Sequence, residues 1–239
     1  MTGHAYSIEA LGQRPRARAE RSRIVAPFGV AVACLVALVV VWACATHVGA
    51  LRVRDASALH DLASLNRPKI ESVGNFMLHL LEPLLFTIWG AAMVLIALAR
   101  DRPRIALVVA VAMAAAPLTS ETLKPLLAHP HVMVDGTHIG PGSWPSGHAT
   151  AALTLALCAV LVAPASIRKA VAVAGGAYAL AVGVLLLVLG WHMPSDVLGG
   201  YLVATLWVAL LLAALRISER LWPSKPSEPA GTPSRVHAR

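Results

Sequence analysis

Six apolar runs, each close to the length of a bilayer span, govern what this chain can become. They lie at about 24–50, 74–99, 105–123, 149–164, 170–190 and 197–216. Their apolar residues are continuous rather than spaced along one helical face, which marks membrane spans of ~20 residues rather than one-sided core helices. In hydrocarbon, each run satisfies its own backbone hydrogen bonds only as a helix. The expected fold class is therefore all-α, a six-transmembrane helical bundle. Composition agrees, with 57% hydrophobic and only 13% charged residues, where soluble domains carry about a quarter charged. The third run is interrupted by Pro117 and Glu121, so Pro117 is expected to kink or end that helix.

The flanks are different in kind. Residues 1–23 are polar and Arg-rich and read as a flexible basic tail. Residues 24–217 form the membrane domain, and 218–239, with Pro223, Pro226, Pro229 and Pro233 among Ser, Gly and Lys, read as a disordered tail. The first apolar run exceeds the roughly 7–15 residues of a signal-peptide core, and no small-x-small cleavage site follows it, so it reads as a retained first helix. No internal repeat and no nucleotide-binding glycine loop is present. Cys34, Cys44 and Cys158 all fall within apolar runs and read as small buried apolar residues.

Charge gives the orientation. With six spans, both tails share a side with the loops at 100–104 and 165–169. That side holds fifteen of the twenty Lys and Arg residues: five in each tail, three in the first loop and two in the second. Arg52, Arg54, Arg67, Lys69 and Lys124 make up the five on the opposite side. The bias places both termini in the cytoplasm, in a multi-pass cytoplasmic (inner or plasma) membrane protein. It also accounts for the net charge of +8 through topology and contact with membrane lipids. No compact basic face with interleaved aromatics appears, so nucleic acid is not an expected partner. The sequence gives no oligomeric state.

Three segments, 51–73, 124–148 and 191–196, fall on the extracytoplasmic side, and two of them carry histidine motifs. The first motif is Pro145-Ser146-Gly147-His148, at the mouth of the fourth run. The second is His192-Met193-Pro194-Ser195-Asp196, at the mouth of the sixth. Phosphoryl transfer needs a nucleophile, a general acid for the leaving oxygen and cations for the spare oxygens. Histidine serves either of the first two roles near neutral pH. Asp196 lies within a helical turn of His192 and can hold one ring nitrogen, leaving the other free to attack. Ser146 can cap the fourth helix or donate to a phosphate oxygen, Gly147 allows close approach, and helix N-termini favour anions.

These motifs on a six-span scaffold resemble the type 2 phosphatidic acid phosphatase (PAP2) superfamily, from about residue 50 to 216. That superfamily includes membrane lipid phosphatases, polyprenyl pyrophosphate phosphatases and the soluble vanadium haloperoxidases. Its pattern is Lys-x6-Arg-Pro, then Pro-Ser-Gly-His, then Ser-Arg-x5-His-x3-Asp. The resemblance implies His192 as the nucleophile that becomes phosphohistidine, Asp196 as its orienter and His148 as the leaving-group acid. It implies phosphate contacts from Lys124, Ser146 and the Gly147 amide, and it implies neither cofactor nor metal.

The first and third motifs are degenerate. His131 and Val132 stand where the first motif has Arg-Pro, and Leu186 stands where the third has Arg. No Lys or Arg lies between Lys169 and Arg216, so no shift of alignment restores the second arginine. Two bidentate phosphate grips are thus missing. His131, protonated, would be a cation in place of the first, giving stronger phosphate binding in acid. A rival reading makes His129-x-His131, with Asp135 and His138, a divalent-metal site. The expected function is a membrane phosphatase acting on a lipid-linked phosphate or pyrophosphate, polyprenyl or phospholipid in type, on the extracytoplasmic face. The alternative is a catalytically impaired relative that binds a lipid phosphate or a partner without turnover.

Smaller features round out the reading. Glu121 and Lys124 are spaced for an i, i+3 ion pair. Trp144, Trp191 and Trp222 flank apolar runs and read as interfacial anchors. Gly175-Gly176 and Gly199-Gly200 would let helices approach closely.

Overall fold

A computed structural model describes residues 5–132 and 139–222, all of the regular structure being helical. Expectations for Asp135, His138 and most of the C-terminal tail lie outside the described residues. Eight helices follow in order: α1 (Ala5–His47), α2 (Gly49–Ala63), α3 (Pro68–His79), α4 (Pro83–Ala99), α5 (Pro103–Leu126), α6 (Gly147–Val162), α7 (Arg168–Val188) and α8 (Pro194–Leu221). Proline opens α3, α4, α5 and α8, where its fixed φ suits a helix start and its missing N–H is not needed. Pro117 lies inside α5, which continues through it to Leu126. Helix also continues N-terminally from the first apolar run through the basic segment to Ala5.

The six apolar runs correspond to α1, α4, α5, α6, α7 and α8. Four of these, α1, α5, α7 and α8, are long and apolar enough to cross a bilayer unaided. The fourth run folds as α6, apolar but only 16 residues long. The second run starts late in α3, turns by 53° and continues as α4, and that bent pair counts as a fifth span. The six-span expectation is therefore met in element order, while one span is broken and one is short. Helices α2 and α3 were not anticipated; α2 and the first half of α3 fall largely in the segment 51–73, read above as lying outside the membrane, and α3 runs on into the second apolar run.

The core lies around α6, whose neighbours are α5, α7 and α8. Small residues make this possible: Ala149, Ala151, Ala152 and Ala156 are buried along α6. A Cβ on Gly175 would sit 3.0 Å from the Ala156 Cβ, and one on Gly200 would sit 2.5 Å from the Ser146 carbonyl oxygen. Close backbone approach of this kind binds helices where lipid removes the hydrophobic drive. Trp144 corrects its expectation as an interfacial anchor. It is 1% exposed, packed with Leu38, Ala116 and Val203 and tight against Gly199, which leaves it no room for a Cβ. Trp191 and Trp222 are exposed.

Candidate active site

Helices α6 and α8 begin side by side, and each start carries one histidine motif. Ser146 caps α6, accepting from the Ala149 N–H at 3.4 Å, and its own N–H donates to the Asp196 carbonyl at 2.9 Å. Gly200, one turn into α8, lets that helix press against Ser146 and Thr150, and the Thr150 hydroxyl donates to the Ser146 and Gly200 carbonyls. The two motifs are thus fixed to each other by backbone contacts. Ser146 is fully buried, so its hydroxyl serves the cap.

Asp196 lies in the first turn of α8 and is fully buried. One oxygen, Oδ2, accepts from the Met193 N–H at 2.9 Å and lies 3.4 Å from His192 Nδ1. The other, Oδ1, is buried with no protein partner. The pairing orients His192 with Nδ1 toward the carboxylate and leaves Nε2 on the other side of the ring.

His192 lines a cavity of about 600 Å³ together with His148, Lys124, Ser143, Trp191 and the backbone of Gly140, Gly142 and Gly190. His148, Lys124 and Trp191 also border a second cavity of about 810 Å³. The latter descends between α3, α4, α5 and α6, past Leu78, Leu81, Phe86 and Met113. The bend between α3 and α4 lies on its wall, through Leu81, Glu82 and Pro83. The His148 and Trp191 rings meet edge to face at 6.0 Å. Burial pushes the His148 imidazole below the ordinary histidine range; His192 and Lys124 push the same way, while Glu121 and Glu82 oppose them.

Lys124 is already paired. Its Nζ donates to Glu121 Oε1 at 2.6 Å, the i, i+3 ion pair expected from the spacing. Gly147 makes room for this pair, since a Cβ there would lie 2.8 Å from that same Glu121 oxygen. Gly147 itself borders the larger cavity. His131 does not line either cavity. It stands one step behind, its Nε2 bonded to the Ser143 hydroxyl at 2.9 Å, and burial is the chief cause holding its pKa low, against the pull of Asp196. Its cationic form therefore belongs to acid conditions below the usual histidine range. Leu186 is fully buried in the apolar core beside Val182 and Val197, so its position contributes no polar group.

Among the described residues, no three His, Cys, Asp or Glu side chains are arranged to hold a metal ion. The His129 and His131 rings lie 4.7 Å apart, but His129 Nδ1 is taken by the Leu127 carbonyl and His131 Nε2 by Ser143.

Helix α2 adds a residue that no motif announced. Asp55 accepts from the Ser195 N–H at 3.1 Å and from the Ser195 hydroxyl at 2.5 Å. It thereby caps α8 from outside, at the residue preceding Asp196. Burial raises the Asp55 pKa, and the two Ser195 bonds counter it. A carboxylate here also complements the positive end of α8. Ser143 is likewise new; a serine in a Gly- and Pro-rich loop carries no periodic signal.

Paired histidines, a buried carboxylate behind one of them and a lysine at the rim, on a helical membrane scaffold, are what comparison with known proteins can test. The sequence profile of the PAP2 superfamily matches residues 99–220. The chain belongs to the PAP2 superfamily. Its fold is similar to the crystal structure of a transmembrane PAP2-type phosphatidylglycerolphosphate phosphatase from Bacillus subtilis, with a TM-score of 0.60 at 22% identity, over 76% of this chain and 93% of that one. No curated protein matches the chain. The PAP2 match spans both histidine motifs and Lys124, and leaves α1, α2, α3 and all but the last residue of α4, with Asp55, outside it.

Proposed function

We propose that this PAP2 protein is a membrane phosphatase that hydrolyses a lipid-linked phosphate or pyrophosphate on the extracytoplasmic face, through a phosphohistidine intermediate. One observation carries the reading: His148, His192 and Lys124 line one cavity, with His192 held by the buried Asp196. In the proposed first step, His192 Nε2 attacks phosphorus. The phosphorus–oxygen bond to the leaving group breaks, and that oxygen takes its proton from His148. In the second, His148 accepts a proton from water, whose oxygen displaces the histidine, releasing inorganic phosphate and restoring the ring. Lys124, released from Glu121, offsets phosphate charge, with Ser143 and the Gly147 backbone beside it. Asp196 stabilises the His192 ring as it gains positive charge.

The second cavity supports the proposed substrate class. Its polar mouth and apolar depth, opened along the α3–α4 bend, suit a phosphate headgroup with one long hydrocarbon tail, polyprenyl or acyl. No step calls for a metal, and activity should persist in chelator. The buried Leu186 and the recessed His131 favour the competing reading, a phosphate-binding relative without turnover, because among the described residues no arginine lines either cavity. Phosphate release from polyprenyl phosphates, polyprenyl pyrophosphates and phospholipid monoesters, by wild type and His192→Ala, separates the two. Release by wild type alone supports hydrolysis; release by neither, with lipid phosphate still bound, establishes the non-catalytic relative.

A further inference from the structure

At the end of the bundle opposite the histidines, four arginines surround a cavity of about 500 Å³. Arg102 and Arg104 come from the start of α5, Arg168 from the start of α7 and Arg216 from the last part of α8. Asp101 and Glu219 are the acidic residues lining it, so four positive charges face two negative. The wall behind them is apolar: Ile105, Val160, Leu161, Leu212 and Leu215.

The arginines are held in place by the ends of the helices. Arg102 donates to the Leu161 carbonyl at 3.1 Å and Arg168 to the Ala163 carbonyl at 3.1 Å, completing the C-terminus of α6. Arg104 donates to the Trp222 carbonyl at 2.7 Å, and Arg216 to Glu219 at 3.0 Å. Each guanidinium has five N–H donors, and each of these contacts uses one nitrogen. The forks are therefore fixed in direction while keeping donors free for a further acceptor, an arrangement suited to a phosphate.

We infer that this basin binds an anionic phospholipid of the cytoplasmic leaflet. The arginines would hold the phosphodiester, and the apolar wall would take the first part of the acyl chains. A basic pocket between membrane helices on the side favoured by positive charge suits such a headgroup. A free anion would gain nothing from Ile105, Leu212 and Leu215. The site lies apart from the histidine cavities and does not depend on their being catalytic.

The test is thermal unfolding of the full chain in detergent, with phosphatidylglycerol, phosphatidylcholine or inorganic phosphate added. Both lipids are phosphodiesters, so they differ in net charge and not in ester type. Phosphatidylglycerol is expected to raise Tm by about 3 °C or more, with less than about 1 °C from the others. The shift should survive in His192→Ala and Lys124→Ala and largely vanish in the double variant Arg104→Gln/Arg216→Gln. Glu219→Gln, which keeps every arginine and removes a competing carboxylate, should tighten phosphatidylglycerol binding about two- to fourfold. That last variant keeps the test decisive if the double variant does not fold. Equal shifts from both lipids, an equal shift from inorganic phosphate, loss of the shift in Lys124→Ala or weaker binding by Glu219→Gln would each overturn the inference.

Discussion

His148 ties its burial to a measurable pH dependence. In its proposed role as leaving-group acid it must be protonated, and its pKa lies below the ordinary histidine range because it is buried near His192 and Lys124. The fraction of acid-competent enzyme is therefore full below that lowered pKa and falls as pH rises through it. The kcat/KM profile should lose activity on the alkaline side beginning below the pH of an unperturbed histidine, about 6.5. Glu121→Gln removes a charge that favours the imidazolium and should move that limb further toward acid; an unmoved limb would assign the titration to another group. Asp55 belongs to the same scale. Asp55→Ala removes both bonds to Ser195 and should cost about 1 kcal/mol of stability, the usual loss of a helix cap. It should lower kcat with little change in KM, by loosening Asp196 behind His192, and Asp55→Asn should recover part of both. Equal kcat in wild type and Asp55→Ala would limit Asp55 to the cap. The sequence made His148, His192 and Asp196 legible, because their chemistry is written in short local spacings, while Lys124 came from the family resemblance. Asp55 and Ser143 were not legible, since one acts on a residue 140 positions away and the other sits in a loop without periodicity.

Among the elements, α8 is the most exacting, since its first turn holds Asp196 and its second must touch Ser146. Gly200→Ala would put a Cβ 2.5 Å from the Ser146 carbonyl oxygen, a backbone atom that cannot swing aside, so one helix must move. Destabilisation of about 2–3 kcal/mol is expected, with loss of whatever activity wild type shows. Gly176→Ala on α7, where a Cβ meets nothing within 4 Å, should be neutral or stabilising by up to about 1 kcal/mol. Thermal unfolding in detergent compares the two; similar behaviour would undo the close-approach account of α8. The glycine pairs were visible in the sequence, but not which member mattered. Helices α2 and α3 escaped notice because they are short and mix charges with apolar residues; α2 packs on α1, α7 and α8, and α3 on α7. The α3–α4 bend escaped for a related reason: Pro83 reads equally as a helix start or a kink.

For the molecule as a whole, six apolar runs gave the order of the apolar helices, because lipid permits little else. They did not give the unequal lengths of those helices, and α6 turns that into a consequence. At 1.5 Å per residue its 16 residues reach about 24 Å, short of a hydrocarbon core of about 30 Å. Its far end is tied by Arg100, Arg102 and Arg168, through the Val162, Leu161 and Ala163 carbonyls, and those guanidinium groups belong at the aqueous boundary. Holding Gly147 and His148 at the opposite boundary then requires the bilayer to thin around α6 by roughly 6 Å. Membrane thickness would then be a control on turnover. In vesicles of lipids differing only in acyl length, the rate should be highest in thin bilayers and decline as the chains lengthen, while detergent micelles should show no such trend.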